Sequence, residues 1–303
     1  MEDPDADLEL VLASLERQLP ARLPPDLGSH GRMHVYVFDD IVVKFDGRLG
    51  SAAMVRERCA LELLARSTLP VPKLIAAGDF TDGRRWVVLT RLSGEPPQDA
   101  EHPAHDVSPA VARQMGGVIA QLHTAVVPPG FGTWERHPGL FLVEEEARRA
   151  ESLISLGRER QLVPANELDA LVELMKLTRA SLVTAPSRPV LAHRDVQPRN
   201  VLVEAGHISG LLDFEAAAGG DPAEDFNVLG LDWSAPGFKA YVEGYRDSGG
   251  SLGPDAPDRV AHYVLRWSLV VFVYLAGFAP QYLAPARTAV ERVRAGERPN
   301  LRQ

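Results

Sequence analysis

The stretch HRDVQPRNVLV, residues 193–203, follows a short apolar run that ends at Ala192 and leads directly into another. Between two segments that favour burial it places His193, Arg194, Asp195, Gln197, Arg199 and Asn200. So many ionisable and carboxamide groups in so short a connection mark a candidate reactive loop rather than a spacer. Just beyond it, alternating apolar residues predict strands at 200–203 and 208–212, joined by the turn EAGH and ending at Asp213. Asp195, Asn200 and Asp213 therefore belong at adjacent strand ends. Two carboxylates and a carboxamide can hold a hard divalent cation such as magnesium, which takes oxygen ligands together with phosphate and water. One carboxylate is left over to orient a hydroxyl nucleophile.

Working outward toward the N-terminus, residues 7–19 put Leu8, Val11, Leu12, Leu15 and Leu19 on one helical face before Pro20. Residues 34–38 and 41–45 are rich in β-branched and aromatic side chains, and Asp39-Asp40 between them suits a hairpin turn. Helical spacing returns at 51–66, with Met54, Cys59, Leu61, Leu64 and Ala65 available for burial, followed by short strands at 74–77 and 86–90. The loop-like LSGEPPQDAEHP, 92–103, is the natural boundary. Beyond it the pattern is helical at 108–125, 143–157, 166–183, 223–230, 236–247 and 257–278. The expectation is an α+β, bilobal protein: a smaller sheet-containing lobe over 1–92 and a larger, mainly helical lobe over 93–303.

The acidic opening MEDPDADLEL has no apolar signal core, so the expected location is the cytoplasm. The longest apolar run, LVVFVYLAGF at 269–278, is too short to span a bilayer. One cysteine, Cys59, excludes an intrachain disulfide and a cysteine-based zinc site. The formal net charge of −9 argues against nucleic acid or an anionic membrane as the main partner. Residues 204–258 carry eleven acidic residues against only Lys239 and Arg246, so the negative excess lies in the C-terminal half.

HRDVQPRN, GLLDFE (210–215) and GDPAEDF (220–226), in that order, resemble the catalytic, metal-binding and following loops of the aminoglycoside phosphotransferase family, whose fold is that of the protein kinases. VVKF at 42–45, RERCALELLARSTLPVPKLI at 56–75, WVVLTRLSGEPP at 86–97 and MGGVIAQLH at 115–123 extend the resemblance to roughly residues 28–280. It implies that Asp195 orients or deprotonates an acceptor hydroxyl, with His193 and Arg199 beside it in the catalytic set. His193 is either a hydrogen-bonded scaffold or a base. Asn200 and Asp213 become magnesium ligands, and Lys44 contacts nucleotide phosphates, held by Glu57, for which Glu62 on the same helix is the competitor. Gly31 and Arg32 of the phosphate-covering segment LGSHGRMH (27–34), with Thr90 and Leu92 of the hinge, complete the implied nucleotide contacts. The chain departs from the family pattern at Arg194 and Arg199, where glycine is frequent. Glu215 stands where a protein kinase has the glycine of its DFG motif.

A protein kinase needs tens of residues between its metal-binding aspartate and the next helix to seat a peptide, whereas only eight positions separate Asp213 from Asp221. The implied acceptor is a small molecule, with Glu215, Asp221 and Trp233 as candidate contacts. The acidic C-terminal half points to a hydroxyl-bearing polycation, such as an aminoglycoside or basic peptide antibiotic. The rival acceptors are those of a metabolic kinase acting on choline, homoserine or a thiosugar, and the rival class is a non-catalytic nucleotide-binding protein. The implied donor is ATP, with GTP open.

Overall fold

The computed structural model describes residues 4–15, 25, 27, 33–47, 52–97, 107–132, 142–253, 255–277 and 279–301. Strands β1 (Met33–Val37), β2 (Ile41–Asp46), β3 (Leu74–Asp79) and β4 (Arg85–Thr90) form one antiparallel sheet in the order β1-β2-β4-β3. The Asp39-Asp40 turn is closed by the Phe38 N–H donating to the Ile41 carbonyl at 2.8 Å. Strand alternation then divides β2 between two environments. Val43 and Phe45 join Tyr36 and Val88 in a small core closed by Leu8, Val11 and Leu12 of helix α1 (Pro4–Ser14), while Lys44 points the other way. Helix α1 is further tied down by Asp7, which pairs with the buried Arg84 at 2.7 Å. Of the helix expected over 7–19, residues 16–19 lie outside the described residues.

Helix α2 (Ala53–Leu64) packs against the sheet and buries Met54, Ala60, Leu61 and Leu64, with Glu57 on the same buried face. Its Cys59 is only partly buried. The remainder is mainly helical: α3 (Pro109–Ala125), α4 (Leu142–Arg160), α5 (Ala165–Thr178), α6 (Pro236–Asp247), α7 (Ala256–Val273) and α8 (Leu283–Arg294). Helix α7 is buried along nearly its whole length and is contacted by α4, α5 and α8, which explains why it reads as a long apolar run. Among the described residues no helix is long and apolar enough to cross a membrane.

Two small ribbons frame the polar loop. Strand β6 (Val201–Glu204) pairs with β7 (His207–Leu211) across an Ala205-Gly206 turn with φ of 49° and 81°. Strand β5 (Val190–Ala192) pairs with β8 (Ala218–Gly220). This second ribbon and helix α8 were not expected from sequence: three-residue strands are too short to show a period, and AGG has no alternation at all. The helix expected over 223–230 is instead two 3-10 turns, Pro222–Phe226 and Leu229–Asp232, and that over 166–183 is α-helix only to Thr178, continuing as a 3-10 turn, Arg179–Thr184. The Thr178 hydroxyl donates back to the Leu174 carbonyl where the α-helix ends.

Candidate active site

The polar stretch 193–200 occupies the connection from β5 to β6, and Asp213 follows β7, so two ribbon ends deliver the groups expected to meet. Lys44 Nζ, from β2 of the sheet, lies 2.9 Å from Asp213 Oδ1 and 2.7 Å from Glu57 Oε2. Glu57 is therefore the helix carboxylate facing Lys44. Glu62 is half-exposed and pairs with Arg58 one turn away. Burial disfavours the Lys44 ammonium, but the carboxylates of Asp213 and Glu57 outweigh it and hold it above its ordinary pKa. The same ammonium keeps Asp213 below the usual carboxylate range against the effect of burial.

Asp195 is held by its own loop. Gln197 Nε2 donates to Oδ1 at 2.6 Å, and Asn200 Nδ2 donates at 2.9 Å both to Oδ2 and to the Asp195 carbonyl. The Arg199 guanidinium stands 3.8 Å from Oδ2 with more than half its side chain exposed. Burial lifts the Asp195 carboxyl above its usual range although Arg199 opposes this, and the nearby Asp213 adds to the lift. With its amide nitrogen committed to Asp195, Asn200 keeps its carboxamide oxygen free of any hydrogen bond among the described residues, as does the second carboxylate oxygen of Asp213. One amide oxygen and one carboxylate oxygen form a hard donor set that fits magnesium.

The loop is braced from beneath. Asp225 accepts the backbone N–H groups of His193 at 2.9 Å and Arg194 at 2.5 Å, and His123 Nε2 lies 2.8 Å from the same carboxylate. Asp225 and His123 are thus structural, and His123 Nδ1 ends on the Tyr245 hydroxyl at 2.9 Å. Glu215 is half-buried beside Asp213, and burial, reinforced by that neighbouring carboxylate, pushes its carboxyl up to about 7. Its carbonyl accepts a hydrogen bond from Arg56 of α2, a bond that joins the sheet region to the turn after β7.

A model of the phosphotransferase enzyme family matches residues 29–263. The chain belongs to this family. It is 27% identical over 259 residues to viomycin phosphotransferase of Streptomyces vinaceus, an alignment covering 78% of this chain and 84% of that one. Among solved structures it resembles aminoglycoside phosphotransferase APH(4)-Ia with a TM-score of 0.72 at 16% identity, covering 97% of this chain and 100% of the other. Macrolide 2'-phosphotransferase MphH from Brachybacterium faecium gives a TM-score of 0.57 at 24% identity, covering 94% and 98%. The kinase-like α+β fold expected from the loop motifs is the fold of this phosphotransferase.

The geometry decides the alternatives left by the sequence and removes some candidate contacts. His193 is fully buried, its Nε2 meets the Leu212 carbonyl at 2.8 Å and its Nδ1 faces the Asp195 N–H at 3.3 Å, so both ring nitrogens serve the backbone and neither is free to act as a base. Asp221 has no exposed surface. It pairs with Arg259 at 2.7 Å and caps the 3-10 turn at Pro222–Phe226, which removes it from the acceptor contacts. Trp233 is 8% exposed, and Arg292 stands over its ring 5.5 Å from the centroid, so that face is already occupied. The Thr90 hydroxyl accepts from the Lys73 N–H at 2.9 Å and its own N–H donates to the Lys73 carbonyl at 2.9 Å, so both are spent within the sheet region. Leu92 is half-buried and packs toward Leu202 and Gly210. Gly28, Gly31 and Arg32 lie outside the described residues.

The acidic window is corrected too. Asp213, Asp221, Glu224, Asp225, Asp232, Glu243, Asp247 and Asp258 face Lys44, Arg259, Arg194, His123, Arg292, Arg113 (twice) and Arg298 respectively. All those partners lie outside residues 204–258, so most carboxylates of the window are paired in space with groups from elsewhere in the chain, and the run of acidic residues overstates the charge left to collect a cation. Sequence reasoning also gave no role to Gln197, although it sits two residues after Asp195, nor to Tyr282, for which no local signal exists.

Proposed function

We propose that this phosphotransferase moves the γ-phosphate of ATP to a hydroxyl of a cationic antibiotic, an aminoglycoside or a basic peptide, and so inactivates it. The observation that carries the reading is that the Lys44–Glu57–Asp213 ion-pair cluster stands beside the Asp195–Asn200 pair, the two ribbon ends being joined by the Leu212 N–H donating to the Asn200 carbonyl at 2.8 Å. Phosphoryl transfer asks a protein mainly to position reactants and neutralise charge. In this reading Lys44 neutralises the nucleotide phosphates and is kept straight by Glu57. Asn200 and Asp213 would hold magnesium, which supplies further neutralisation when bound. Asp195 accepts the acceptor's hydroxyl proton, and the exposed Arg199 guanidinium reaches the phosphate being transferred. The Thr90 carbonyl and the Leu92 backbone face the base, with residues 1–92 serving as the nucleotide-covering lobe and 93–303 as the catalytic and acceptor lobe. Glu215, facing the cleft beside Asp213, is the remaining candidate for an acceptor ammonium.

The segment after Asp213 supports a small acceptor. Residues Phe214–Ala216 form a 3-10 turn, Ala218–Gly220 pair with β5, and the next turn begins at Pro222, so no platform remains for a peptide chain. The relationship to viomycin phosphotransferase supports an antibiotic, and with the acidic window largely paired, that relationship outweighs the charge argument. The test is mass spectrometry of a pool of aminoglycosides, basic peptide antibiotics, macrolides and amino alcohols incubated with protein, magnesium and either ATP or GTP. A gain of one phosphate on a cationic antibiotic is expected. Phosphorylation confined to an amino alcohol such as choline would replace the acceptor assignment with a metabolic one.

A further inference from the structure

The carboxylate of Asp195 is gripped from two sides, and the shorter grip comes from a residue that the reading above leaves without a role. Asn200 donates to Oδ2 at 2.9 Å, whereas Gln197 Nε2 donates to Oδ1 at 2.6 Å. Gln197 is 1% exposed, so water offers its amide little alternative. Resting on the phosphotransfer reading, we propose that Gln197 is a positioning residue that fixes the plane of the Asp195 carboxylate for the acceptor hydroxyl, and that Tyr282 braces the Gln197 amide in the orientation this requires.

The terminal torsion of an aspartate is broad and roughly two-fold, so a carboxylate held at one oxygen can swing. Here a charged competitor waits: the Arg199 guanidinium is 3.8 Å from Oδ2 and largely exposed. A carboxylate released at Oδ1 would turn toward that guanidinium and close a tighter ion pair, spending the lone pair that the hydroxyl proton needs. Pinned at both oxygens by neutral amides, it keeps one lone pair on each oxygen available. The Gln197 amide itself could present either its nitrogen or its oxygen, and the flipped form would set oxygen against oxygen at hydrogen-bond distance. The acceptor-only Asp195 carboxylate requires the unflipped form, and the Tyr282 hydroxyl, 3.5 Å from Gln197 Oε1, presents a donor to the amide oxygen that braces it there. Tyr282 is 5% exposed and ends the turn Pro280–Tyr282 that enters α8. The base is thereby tied to an element more than eighty residues further along the chain.

The test compares wild type with Gln197→Met, Gln197→Glu, Tyr282→Phe and the Gln197→Met/Tyr282→Phe double variant. It uses the best acceptor from the pool above or, lacking one, magnesium-dependent release of phosphate from ATP to water. Melting temperature and affinity for the non-hydrolysable analogue AMP-PNP are measured alongside. Gln197→Met is expected to lower kcat about tenfold to a hundredfold, the scale of a misplaced reacting group, with nucleotide affinity and KM for ATP within about twofold of wild type. Gln197→Glu, equal in size but setting a second, proton-sharing carboxyl against Asp195, should be at least as slow. Tyr282→Phe should lose a smaller factor, about twofold to fivefold, and the double variant should be no slower than Gln197→Met, because the two act through one amide. A Gln197 variant with wild-type kcat overturns the proposal while leaving the phosphotransfer reading intact, as does a loss confined to melting temperature or to nucleotide affinity. Multiplicative losses in the double variant overturn the role of Tyr282. A wild-type protein that neither transfers nor releases phosphate removes the phosphotransfer reading and the positioning role together.

Discussion

Arg194 holds a left-handed backbone, φ 69°, immediately before Asp195, a conformation that disfavours any residue with a Cβ. This explains why glycine is frequent at this place in the family the sequence resembles. What keeps arginine there is its guanidinium, which turns into the interior and meets Glu224 at 2.9 Å, with Arg266 at 3.1 Å and Arg149 at 3.3 Å from the same carboxylate. The ion pair offsets the backbone strain and anchors the loop in a single conformation. Arg194→Gly loses the pair but relieves the strain, and Arg194→Ala loses the pair and keeps it. Both are therefore expected to be less stable than wild type in urea unfolding, and Arg194→Ala less stable than Arg194→Gly by about 1 kcal/mol. Equal stability of the two variants would show that the left-handed strain is not retained. At this scale the sequence was only partly legible. HRDVQPRN announced chemistry, yet nothing local could show that Asp221 and Trp233 would be claimed by Arg259 and Arg292, residues 38 and 59 positions further on.

Helices α3 and α6 meet at backbone distance, and two glycines permit it. A Cβ on Gly244 would lie 1.8 Å from the Arg113 carbonyl oxygen, and one on Gly116 would lie 2.0 Å from that of Tyr241. Those neighbours are helix backbone and cannot give way as a flexible side chain can. Gly244→Ala should therefore destabilise by about 2–3 kcal/mol, although alanine is the better helix former, and chemical denaturation measures it. Stability equal to or above wild type would mean that the helices separate without cost. The same pair carries the brace under the reactive loop, since His123 and Tyr245 lie on α3 and α6. Burial opposes the Asp225 carboxylate, but the His123 imidazole above all, with the catalytic-loop N–H groups, holds it below the usual range. Glu146 is likewise lowered, with Arg266 outweighing burial and His262 assisting. Both folded pKa values are depressed, so the stability these groups contribute is complete above the ordinary carboxylate range and is lost as pH falls through the folded values. Melting temperature should accordingly drop steeply below about pH 4, and less steeply in Glu146→Gln. A wild-type profile flat through that range would contradict the assignment. The period of α2, α3, α6 and α7 was readable because each buries a long apolar face. Strands β5 and β8, three residues apiece, were not.

Across the whole molecule, residues 44, 57, 195, 200 and 213 converge although they come from the sheet, its helix and two ribbon ends. That convergence was legible because strand ends and motif order constrain it strongly, and the preference for Glu57 over Glu62 agrees with the buried face of α2. Charge was the least transferable signal: a run of acidic residues along the chain became a set of ion pairs once distant arginines folded back onto it. The account stands on this cleft being a magnesium–nucleotide site with a separate base. Calorimetric titration of AMP-PNP in magnesium into wild type, Asp213→Ala and Asp195→Ala, with phosphate transfer measured on the same preparations, tests it most directly. Asp213→Ala should bind the nucleotide at least about tenfold more weakly, while Asp195→Ala binds it within about twofold of wild type and transfers phosphate about a thousandfold more slowly. Unchanged nucleotide affinity in Asp213→Ala, or full transfer by Asp195→Ala, would contradict it.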